Sequence, residues 1–394
     1  MTLGHGPKII TNGLVFAYDM APNPGVNKSW KGMPVTNVVT NTNLDTGWSK
    51  SYNTSIQFND YLPPNGINSQ VVSFIDVDGN GSGYWYSYGD YAPQDPSTTY
   101  CISIWARTVG ADWSMAAYTA DNSETGRQYT NYLTCPGDGK WHRLEFNAIT
   151  TPSNTTSDSL SFYFNSIPAG QRCWLCAPQM TATSFHVPFV AGTRSNTQSL
   201  LDWTGNNTIT ASSLTYNSDG TFSFNGSSNY LDAGQDVTVS PTNQGWAAEY
   251  WFNTSSGSTL QHFNSAEADD FNANWLAIYT SKLAVWNVSP GYWRYGSTTI
   301  QNNTWYQAVF VCDPGGTNMR FYINGIQEGG NHVNNSWSAT YSALKTRYTG
   351  RYEYSGSYGR YFVGKISTVK LYNRALSAAE VAQNFNALRG RYGI

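Results

Sequence analysis

Charged side chains are scarce in this sequence. Only 12% of its 394 residues are Asp, Glu, Lys or Arg, against roughly 25% in an average soluble protein. The 22 Lys and Arg residues form no cluster, and the formal net charge is −3. Because nucleic-acid binding needs a basic surface that neutralises phosphates, we expect no nucleic-acid partner.

Long apolar runs are missing as well. No stretch of 18 or more apolar residues occurs, so we expect no membrane span. The first seven residues have neither the basic start nor the apolar core of a signal peptide. The sequence therefore predicts synthesis in a cytoplasm without a secretion signal.

Cysteine is rare, and its count is odd. The five residues are Cys101, Cys135, Cys173, Cys176 and Cys312, which argues against a disulfide framework. Cys173 and Cys176 form a single Cys-x-x-Cys within an apparent strand, and a zinc site would need further ligands. We expect ordinary buried thiols.

Glycine, aromatic residues and uncharged polar residues take the place of charge. There are 36 Gly, and 15% of the residues are Phe, Trp or Tyr. Alternating apolar segments at 99–106, 141–146 and 160–164 are separated by polar breaks such as 150–158. Short alternating strands with such breaks predict an all-β chain of sandwich or jelly-roll type.

The most recognisable segment is 363–381, a strand followed by a short helix. It resembles the end of concanavalin A-type sandwiches of the laminin-G-like kind, where the last strand pairs with the first. Residues 13–19 match that first strand best. Further matches in the expected order are 199–207, 221–231, 246–252, 305–311 and 319–325.

The distance between the first strand and these segments implies an inserted domain. Residues 37–194 resemble carbohydrate-binding-module-like jelly rolls of phage fibre and decoration proteins, chiefly through 177–180 and 187–194. We therefore predict two β-sandwich domains. An N-terminal arm (1–8) precedes a discontinuous laminin-G-like sandwich (9–36 plus 195–394), and the jelly roll (37–194) is inserted into that sandwich.

One helix is predicted from local pattern. Ser377 and Glu380 have the spacing of a capping box, in which each side chain satisfies a backbone N–H of the other. Val381, Phe385 and Leu388 follow at helical spacing. We expect this helix to pack on the sandwich and to end near Gly390.

No catalytic constellation is evident. Glucanases of this fold use two carboxylates at alternate positions of one strand, and the corresponding strand here offers only Glu249. The acidic residues Glu267, Asp269 and Asp270 lie in an apparent loop. Nucleophile-elbow, Walker A and zinc-protease motifs are absent. We expect a protein that is not an enzyme.

A weak calcium signal lies at Asp76, Asp78 and Asn80. These residues match the first half of an EF-hand loop, but the twelfth position is Ser87. A turn between strands is the alternative that we favour, and no cofactor is required.

Sugar binding is the chemistry that the aromatic residues favour, because sugar faces stack on Trp and Tyr. The candidate contacts are Tyr84, Trp85 and Tyr88 in one cluster, and Tyr292 and Trp293 in another. In an alternating strand, about half of such residues face the core. A third, tyrosine-rich group predicts a surface loop or interface: Tyr348, Tyr352, Tyr354, Tyr358 and Tyr361.

The resemblance implies a bacteriophage structural protein on the particle exterior, as a tail or head fibre or a capsid decoration. Its expected localisation is the virion, and its expected partners are other virion proteins and a host-surface glycan, which it would bind without catalysis. A homo-oligomer is expected, with a trimer favoured, although no coiled-coil heptads occur. The alternatives are a purely architectural decoration protein and, less favoured, an accessory module of a glycan hydrolase.

Overall fold

A computed structural model describes residues 7–19, 31–42, 44, 48–50, 54–64, 67, 69–76, 82–87, 92–120, 128–153, 159–165, 170–216, 222–266, 275–287, 292–328, 341–354 and 357–394. The chain divides into two compact units. The discontinuous unit comprises Met1–Met33 and Asn196–Ile394, and the inserted unit comprises Pro34–Ser195.

The described elements are almost all strands. The first fifteen are β1 (Leu14–Asp19), β2 (Val35–Thr36), β3 (Trp48–Lys50), β4 (Thr54–Phe58), β5 (Val71–Asp76), β6 (Ser82–Ser87), β7 (Thr99–Thr108), β8 (Trp113–Ala120), β9 (Gln128–Tyr129), β10 (Leu133–Cys135), β11 (His142–Glu145), β12 (Ile149–Thr150), β13 (Ser159–Asn165), β14 (Arg172–Thr181) and β15 (Thr193–Arg194).

After the short helix α1 (Asn196–Ser199), the strands are β16 (Thr210–Ser212), β17 (Thr215–Tyr216), β18 (Phe222–Asn225), β19 (Tyr230–Val239), β20 (Trp246–Thr254), β21 (Gln261–His262), β22 (Asn264–Ser265), β23 (Trp275–Tyr279), β24 (Lys282–Asn287), β25 (Tyr292–Tyr295), β26 (Trp305–Cys312), β27 (Met319–Ile323), β28 (Ile326–Gln327), β29 (Leu344–Thr349), β30 (Tyr352–Tyr354), β31 (Ser357–Gly359) and β32 (Val363–Tyr372). Helix α2 (Ala378–Tyr392) follows. The all-β prediction is confirmed. No described helix has the length and hydropathy to cross a membrane.

The inserted unit is a jelly roll of two antiparallel sheets. One sheet has the order β11-β7-β14-β5-β4, with β12 on β7, and the other has the order β10-β8-β13-β6-β3, with β9 on β8. Strand β7 shows why the two sheets pack, because its alternate residues Tyr100, Ile102 and Ile104 are buried in the shared core. The same alternation directs Trp105 and Arg107 of β7 to the opposite face of the sheet.

The five cysteines are buried free thiols, as predicted. Cys173 lies in the core between the two sheets, whereas Cys176 lies in a separate cluster with Val71. Burial raises the pKa of the Cys176 thiol to about 12. The Cys-x-x-Cys pair therefore points its two sulfurs to opposite faces of β14.

The discontinuous unit is built around β32. One edge of β32 pairs with β20, and the other edge pairs with β1 and, further along, with β18. The resulting sheet has the order β17-β18-β32-β20-β26-β27-β28, with β1 on β32. Two four-stranded sheets, β16-β19-β29-β22 and β21-β23-β24-β25, contribute residues to the same hydrophobic core.

The turn after α1 holds β1 from its second side. The buried carboxylate of Asp202 accepts the backbone N–H of Ala17 at 3.1 Å, and the N–H of Trp203 donates to the carbonyl of Ala17 at 2.8 Å. Thr204 and Asn207 saturate the Asp202 carboxylate from within the turn. These hydrogen bonds thus join Ala17 and Asp202, which are 185 positions apart in sequence.

Helix α2 covers the outer face of the large sheet. Its capping box of Ser377 and Glu380 is confirmed, and the Arg374 guanidinium together with Ser377 lowers the pKa of Glu380 to about 2. The predicted end at Gly390 is wrong. The helix continues to Tyr392, and Gly393 in left-handed conformation caps it, because Tyr392 stacks on Trp251 beneath the helix.

A buried ion pair lies under this helix. The ammonium group of Lys370 and the carboxylate of Glu249 are 2.7 Å apart, and both side chains are fully buried. The indole of Trp251 and the amide of Gln307 donate to the same carboxylate oxygen, at 2.9 and 3.2 Å. Asn384 of α2 donates to the other oxygen at 2.7 Å. The carboxylate is therefore satisfied by four donors from four elements.

The same network fixes the segment that precedes β1. The Asn384 side chain accepts the backbone N–H of Ile10 at 2.7 Å, and the Tyr372 hydroxyl donates to the carbonyl of Ile10 at 3.1 Å. Burial and the nearby Glu249 charge raise the pKa of Tyr372 well above its usual value, so it remains a neutral donor.

We predict that Lys370→Met destabilises the protein strongly, because it leaves the Glu249 charge buried without its partner. The expected loss is about 3–5 kcal/mol in the free energy of unfolding, measured by urea denaturation. The double variant Glu249→Gln/Lys370→Met should recover much of this loss because no charge is then buried. Lys140→Met, whose side chain is 79% exposed, is the control, and an equal loss in that control would contradict the prediction.

Candidate functional site

The second predicted aromatic cluster lies on β25, the outer strand of the sheet β21-β23-β24-β25. Cross-strand register places Trp293 of β25 opposite Trp286 of β24, and Trp286 opposite Trp275 of β23. Three tryptophans thus form one row across three strands. The residues between them in sequence, such as Leu276 and Val285, face the core instead.

The next row on the same face contains small residues between rings. His262 of β21 pairs with Ala277, Ala277 with Ala284, and Ala284 with Tyr295. Both alanines are fully buried. Tyr279 contacts both Trp293 and Tyr295, with ring centroids 5.2 and 5.8 Å apart.

We name this surface the tryptophan face and define it by the following residues: His262, Trp275, Tyr279, Trp286, Trp293, Tyr295 and Tyr352. Trp286, Trp293 and Tyr295 are half-buried, so part of each ring meets solvent, while Trp275 is 7% exposed. Trp275 and Trp286 are nearly parallel, with an interplanar angle of 14°. The face is therefore an apolar platform of partly exposed rings.

His262 is the unusual member of the tryptophan face. It is fully buried, and its ring lies 6.0 Å from Trp293 and 5.0 Å from Tyr352. Neither ring nitrogen has a partner with hydrogen-bond geometry. Burial, assisted by the positive charge of Arg360, lowers the pKa of His262 to about 3, and a backbone contact with Asn264 offsets this only in part. The imidazole is neutral at pH 7.

The first predicted cluster lies on β6 of the inserted unit. Register places Tyr84 opposite Tyr163 and Trp85 opposite Phe162, whose ring is fully buried in the core. The side chains of Tyr84 and Trp85 lie outside the described part of the chain, as does Tyr88. Tyr163, which is half-buried, contacts the exposed Tyr132 at 6.2 Å.

Other predicted site residues fall beyond what the structure describes. These are Asp78 and Asn80, the side chains of Asp76 and Tyr292, and the acidic residues Glu267, Asp269 and Asp270. Within the described ranges no group of three or more His, Cys, Asp or Glu side chains is placed to hold a metal ion. The calcium site remains a sequence prediction.

The expectation of one tyrosine-rich surface loop is wrong for Tyr348, which is buried in strand β29. Tyr348 and Tyr230 enclose the guanidinium of Arg351, whose central carbon lies 3.8 and 3.7 Å from the two ring centroids. Arg351 also pairs with the buried Glu353 at 3.0 Å. Tyr358 also lies over this guanidinium, with its ring centroid 4.2 Å from the central carbon, although its side chain is 55% exposed.

Glu249, the single carboxylate expected on the core strand, lies away from the tryptophan face. It is fully buried beneath α2 and bonded to Lys370, Trp251, Gln307 and Asn384. A carboxylate without solvent access and with its oxygens occupied by donors is not placed to exchange protons with a substrate.

Residues 225–382 match the family described as the concanavalin A-like lectin/glucanases superfamily. This part of the chain has a concanavalin A-like, laminin-G-like fold. Among curated proteins, none matches the chain.

Solved structures with weak similarity include sugar-recognition domains. The receptor-binding domain of a botulinum neurotoxin C/D mosaic serotype is 12% identical with a TM-score of 0.33, over 48% of this chain and 49% of that one. The chain thus spans about half the length of that neurotoxin domain. The sialidase module CBM40 from Ruminococcus gnavus is 12% identical with a TM-score of 0.28, and the match covers 36% of this chain and 83% of that one. The xylan-binding CBM22-2 domain of Paenibacillus barcinonensis Xyn10C is 14% identical with a TM-score of 0.28, and the match covers 38% of this chain and 98% of that one. Similarities at this level do not identify a ligand.

We predict that His262→Phe stabilises the protein and removes part of its acid sensitivity. The unfolded histidine has a pKa near 6.5, so between about pH 6.5 and 3 the unfolded chain binds a proton that the folded chain does not. Stability contributed by the neutral His262 is therefore present above pH 6.5 and lost as the pH falls. Phe also buries no unpaired nitrogen, which favours folding by roughly 1–3 kcal/mol.

The measurement is the melting temperature of wild type and variant at pH 7 and pH 4.5. The variant should melt higher at both values, and the difference should be larger at pH 4.5. His142→Gln, at a surface position paired with Asp138, should leave the wild-type acid response in place. An unchanged acid response in His262→Phe would show that other groups cause it.

Proposed function

We propose that the chain is a non-catalytic glycan-binding protein and that the tryptophan face contacts the sugar. The observation that carries this proposal is the row of Trp275, Trp286 and Trp293 on the side of the sheet that faces away from the core. Pyranose rings present apolar C–H faces that stack on indole and phenol rings. Half-buried rings combine a fixed geometry with accessible surface, which limits the entropy lost on binding.

The composition of the four strands supports binding without hydrolysis. Gln261–His262, Trp275–Tyr279, Lys282–Asn287 and Tyr292–Tyr295 contain no Asp or Glu. Glycoside hydrolysis requires in most families two carboxyl groups flanking the bond. Glu249 is enclosed by its network. The two described carboxylates near these strands are also engaged within the protein, because Glu353 pairs with Arg351 and Glu328 accepts the backbone N–H groups of Ser297 and Thr298.

The architectural alternative requires the rings to be covered by another subunit. The partial exposure of Trp286, Trp293 and Tyr295 is compatible with either surface role. Trp275 and Trp286 are nearly parallel, whereas the rings of Trp286 and Trp293 are inclined by 61°, so the row presents aromatic faces in two orientations on which sugar rings can stack. A protein partner would instead favour a dry centre with a polar rim.

We predict that Trp293→Ala weakens glycan binding by about 2 kcal/mol or more, roughly 30-fold, as for other buried aromatic contacts at interfaces. The measurement is a glycan-array screen of the full chain followed by calorimetry on the best ligand. Trp305→Ala is the matched control, because Trp305 is also half-buried but its ring contacts Tyr392 of α2, with centroids 4.6 Å apart. Equal losses in both variants, or no glycan bound by wild type, would overturn the proposal.

The place of such a protein on a bacteriophage particle is a separate proposal, which rests on the sequence resemblance alone. It includes contacts with other virion proteins, a homotrimer and attachment to a host-surface glycan. Antibodies against the purified protein should label intact particles of a phage that encodes it, as seen by electron microscopy. If the antibodies detected the protein in the lysate but did not label intact particles, the result would contradict this proposal.

A further inference from the structure

A second aromatic surface lies on the inserted unit, on the outer side of the sheet β11-β7-β14-β5-β4. Trp105 and Arg107 of β7 are two residues apart and share this side, and Trp174 of β14 is the direct cross-strand neighbour of Arg107. We name Trp105, Arg107 and Trp174 the donor cluster. All three residues are half-buried, and the half-buried Trp141 contributes a further ring to this side of the sheet.

The guanidinium of Arg107 lies between two aromatic rings. Its central carbon is 3.9 Å from the centroid of Tyr61 and 4.5 Å from that of Trp174. Its Nε donates to the carbonyl of Gly139 at 2.8 Å. In the part of the chain that the structure describes, no carboxylate pairs with Arg107.

The neighbouring charged groups are already engaged with one another. Arg172 bonds to Asp60 and Gln57. The carboxylate of Asp138 lies 2.9 Å from the imidazole Nε2 of His142. The hydrogen bonds from His142 and from the backbone N–H of Lys140 lower the pKa of Asp138. The positive charge of Arg107 is therefore left over after the local ion pairs have formed.

Three hydrogen-bond donors in this cluster have no acceptor. They are the indole Nε1 of Trp105, the indole Nε1 of Trp174 and one terminal guanidinium nitrogen of Arg107, and all three atoms are buried. An unsatisfied buried donor is costly, and native proteins retain few of them. Departures from full satisfaction concentrate at functional sites.

The chemistry of the missing partner follows from these groups. Three donors, one of them cationic, and no free acceptor complement a group with several acceptor oxygens and negative charge. The neighbouring rings of Trp141 and Trp174 complement the apolar face of a pyranose. A sugar carboxylate combines the two features, and guanidinium binds carboxylates with two parallel hydrogen bonds.

Tyr61 currently covers the cluster. Its ring lies 5.6 Å from Trp174 and 6.3 Å from Trp141, on a segment with 42% exposure at Tyr61 and 80% at Leu62. The carbonyl of the adjacent Leu62 accepts the indole N–H of Trp141 at 3.0 Å. A ligand that takes the place of the Tyr61 ring has to break its contacts with Arg107 and Trp174, and it thereby gains access to these two members of the cluster.

We propose that the donor cluster is a binding site for a carboxylated sugar, which replaces Tyr61 over Arg107. The site is on different strands and in a different unit from the tryptophan face, so the two proposals fail or succeed separately. One chain would then carry two sugar sites of different charge preference.

The test uses the full chain with ¹⁵N-labelled tryptophan and follows the indole N–H resonances by NMR. Trimers of galacturonic acid and of mannuronic acid are titrated beside the neutral trimers of galactose and mannose. The signals of Trp105 and Trp174, assigned by single Trp→Phe variants, should shift with an acidic trimer and not with its neutral counterpart. Sodium acetate at the same carboxylate concentration should not reproduce the shifts.

Three variants separate the site from general charge effects. Arg107→Gln should weaken binding of the acidic trimer by at least about tenfold, and Trp174→Phe, which keeps a ring but removes the donor, should weaken it in the same direction. Lys140→Gln removes an exposed positive charge nearby and should change affinity by less than about fivefold. Trp293→Ala should leave this binding unchanged.

Several results would overturn the proposal. They are equal binding of acidic and neutral trimers, equal shifts with acetate, unchanged affinity in both Arg107→Gln and Trp174→Phe, or no shift with either acidic trimer at millimolar concentration. If wild type bound neutral glycans through Trp293 while any of these results was found, the tryptophan-face proposal would stand and the donor cluster would be structural only.

Discussion

The discontinuous unit depends on the buried pair of Glu249 and Lys370. Two opposite charges removed from water gain little by attraction alone, since each loses its hydration. Here the carboxylate is compensated by four donors, and those donors come from β20, β26, β32 and α2. Asn384, one of the four, also accepts the backbone of Ile10. The geometry of one carboxylate therefore fixes the docking of the helix and the path of the chain into β1 at the same time.

This arrangement lets a chain close a sandwich with strands that are far apart in sequence. β1 pairs with β32 across more than 340 positions of sequence, by the register Leu14 to Tyr372, and the Asp202 turn binds the same strand from its other side. Contacts of such separation are entropically costly to form. The polar network favours a single register, because a shifted β1 would deprive the Asn384 amide oxygen and the Tyr372 hydroxyl of the backbone groups of Ile10 that they bond.

Local patterns predicted part of this molecule. The all-β class follows from alternation and turn residues, and the capping box of α2 from the spacing of Ser377 and Glu380 alone. Of the tryptophan face, the local sequence pattern indicated Trp293 and Tyr295 as one aromatic cluster, and Tyr352 only as part of a surface loop or interface. Trp275, Trp286 and His262 lie on three other strands, and only the register of those strands brings them together. For Trp105, Arg107 and Trp174 of the donor cluster, the sequence pattern predicted only that alternation along their strands directs them away from the core.

The contrast between the buried pair and the outer surfaces bears on function. Under α2, a charge that is fully buried has every oxygen occupied. The two aromatic surfaces differ, because each contains side-chain nitrogens without a hydrogen-bond partner. On the tryptophan face these are both ring nitrogens of His262, and in the donor cluster they are one nitrogen each of Trp105, Trp174 and Arg107. Other buried polar atoms also lack a hydrogen-bond partner, among them the amide oxygen of Gln307 under α2 and the indole nitrogen of Trp113 in the core of the inserted unit. The unpaired nitrogens of His262 and of the donor cluster differ from these because they lie beside half-buried rings, where a ligand has access, and this location favours recognition.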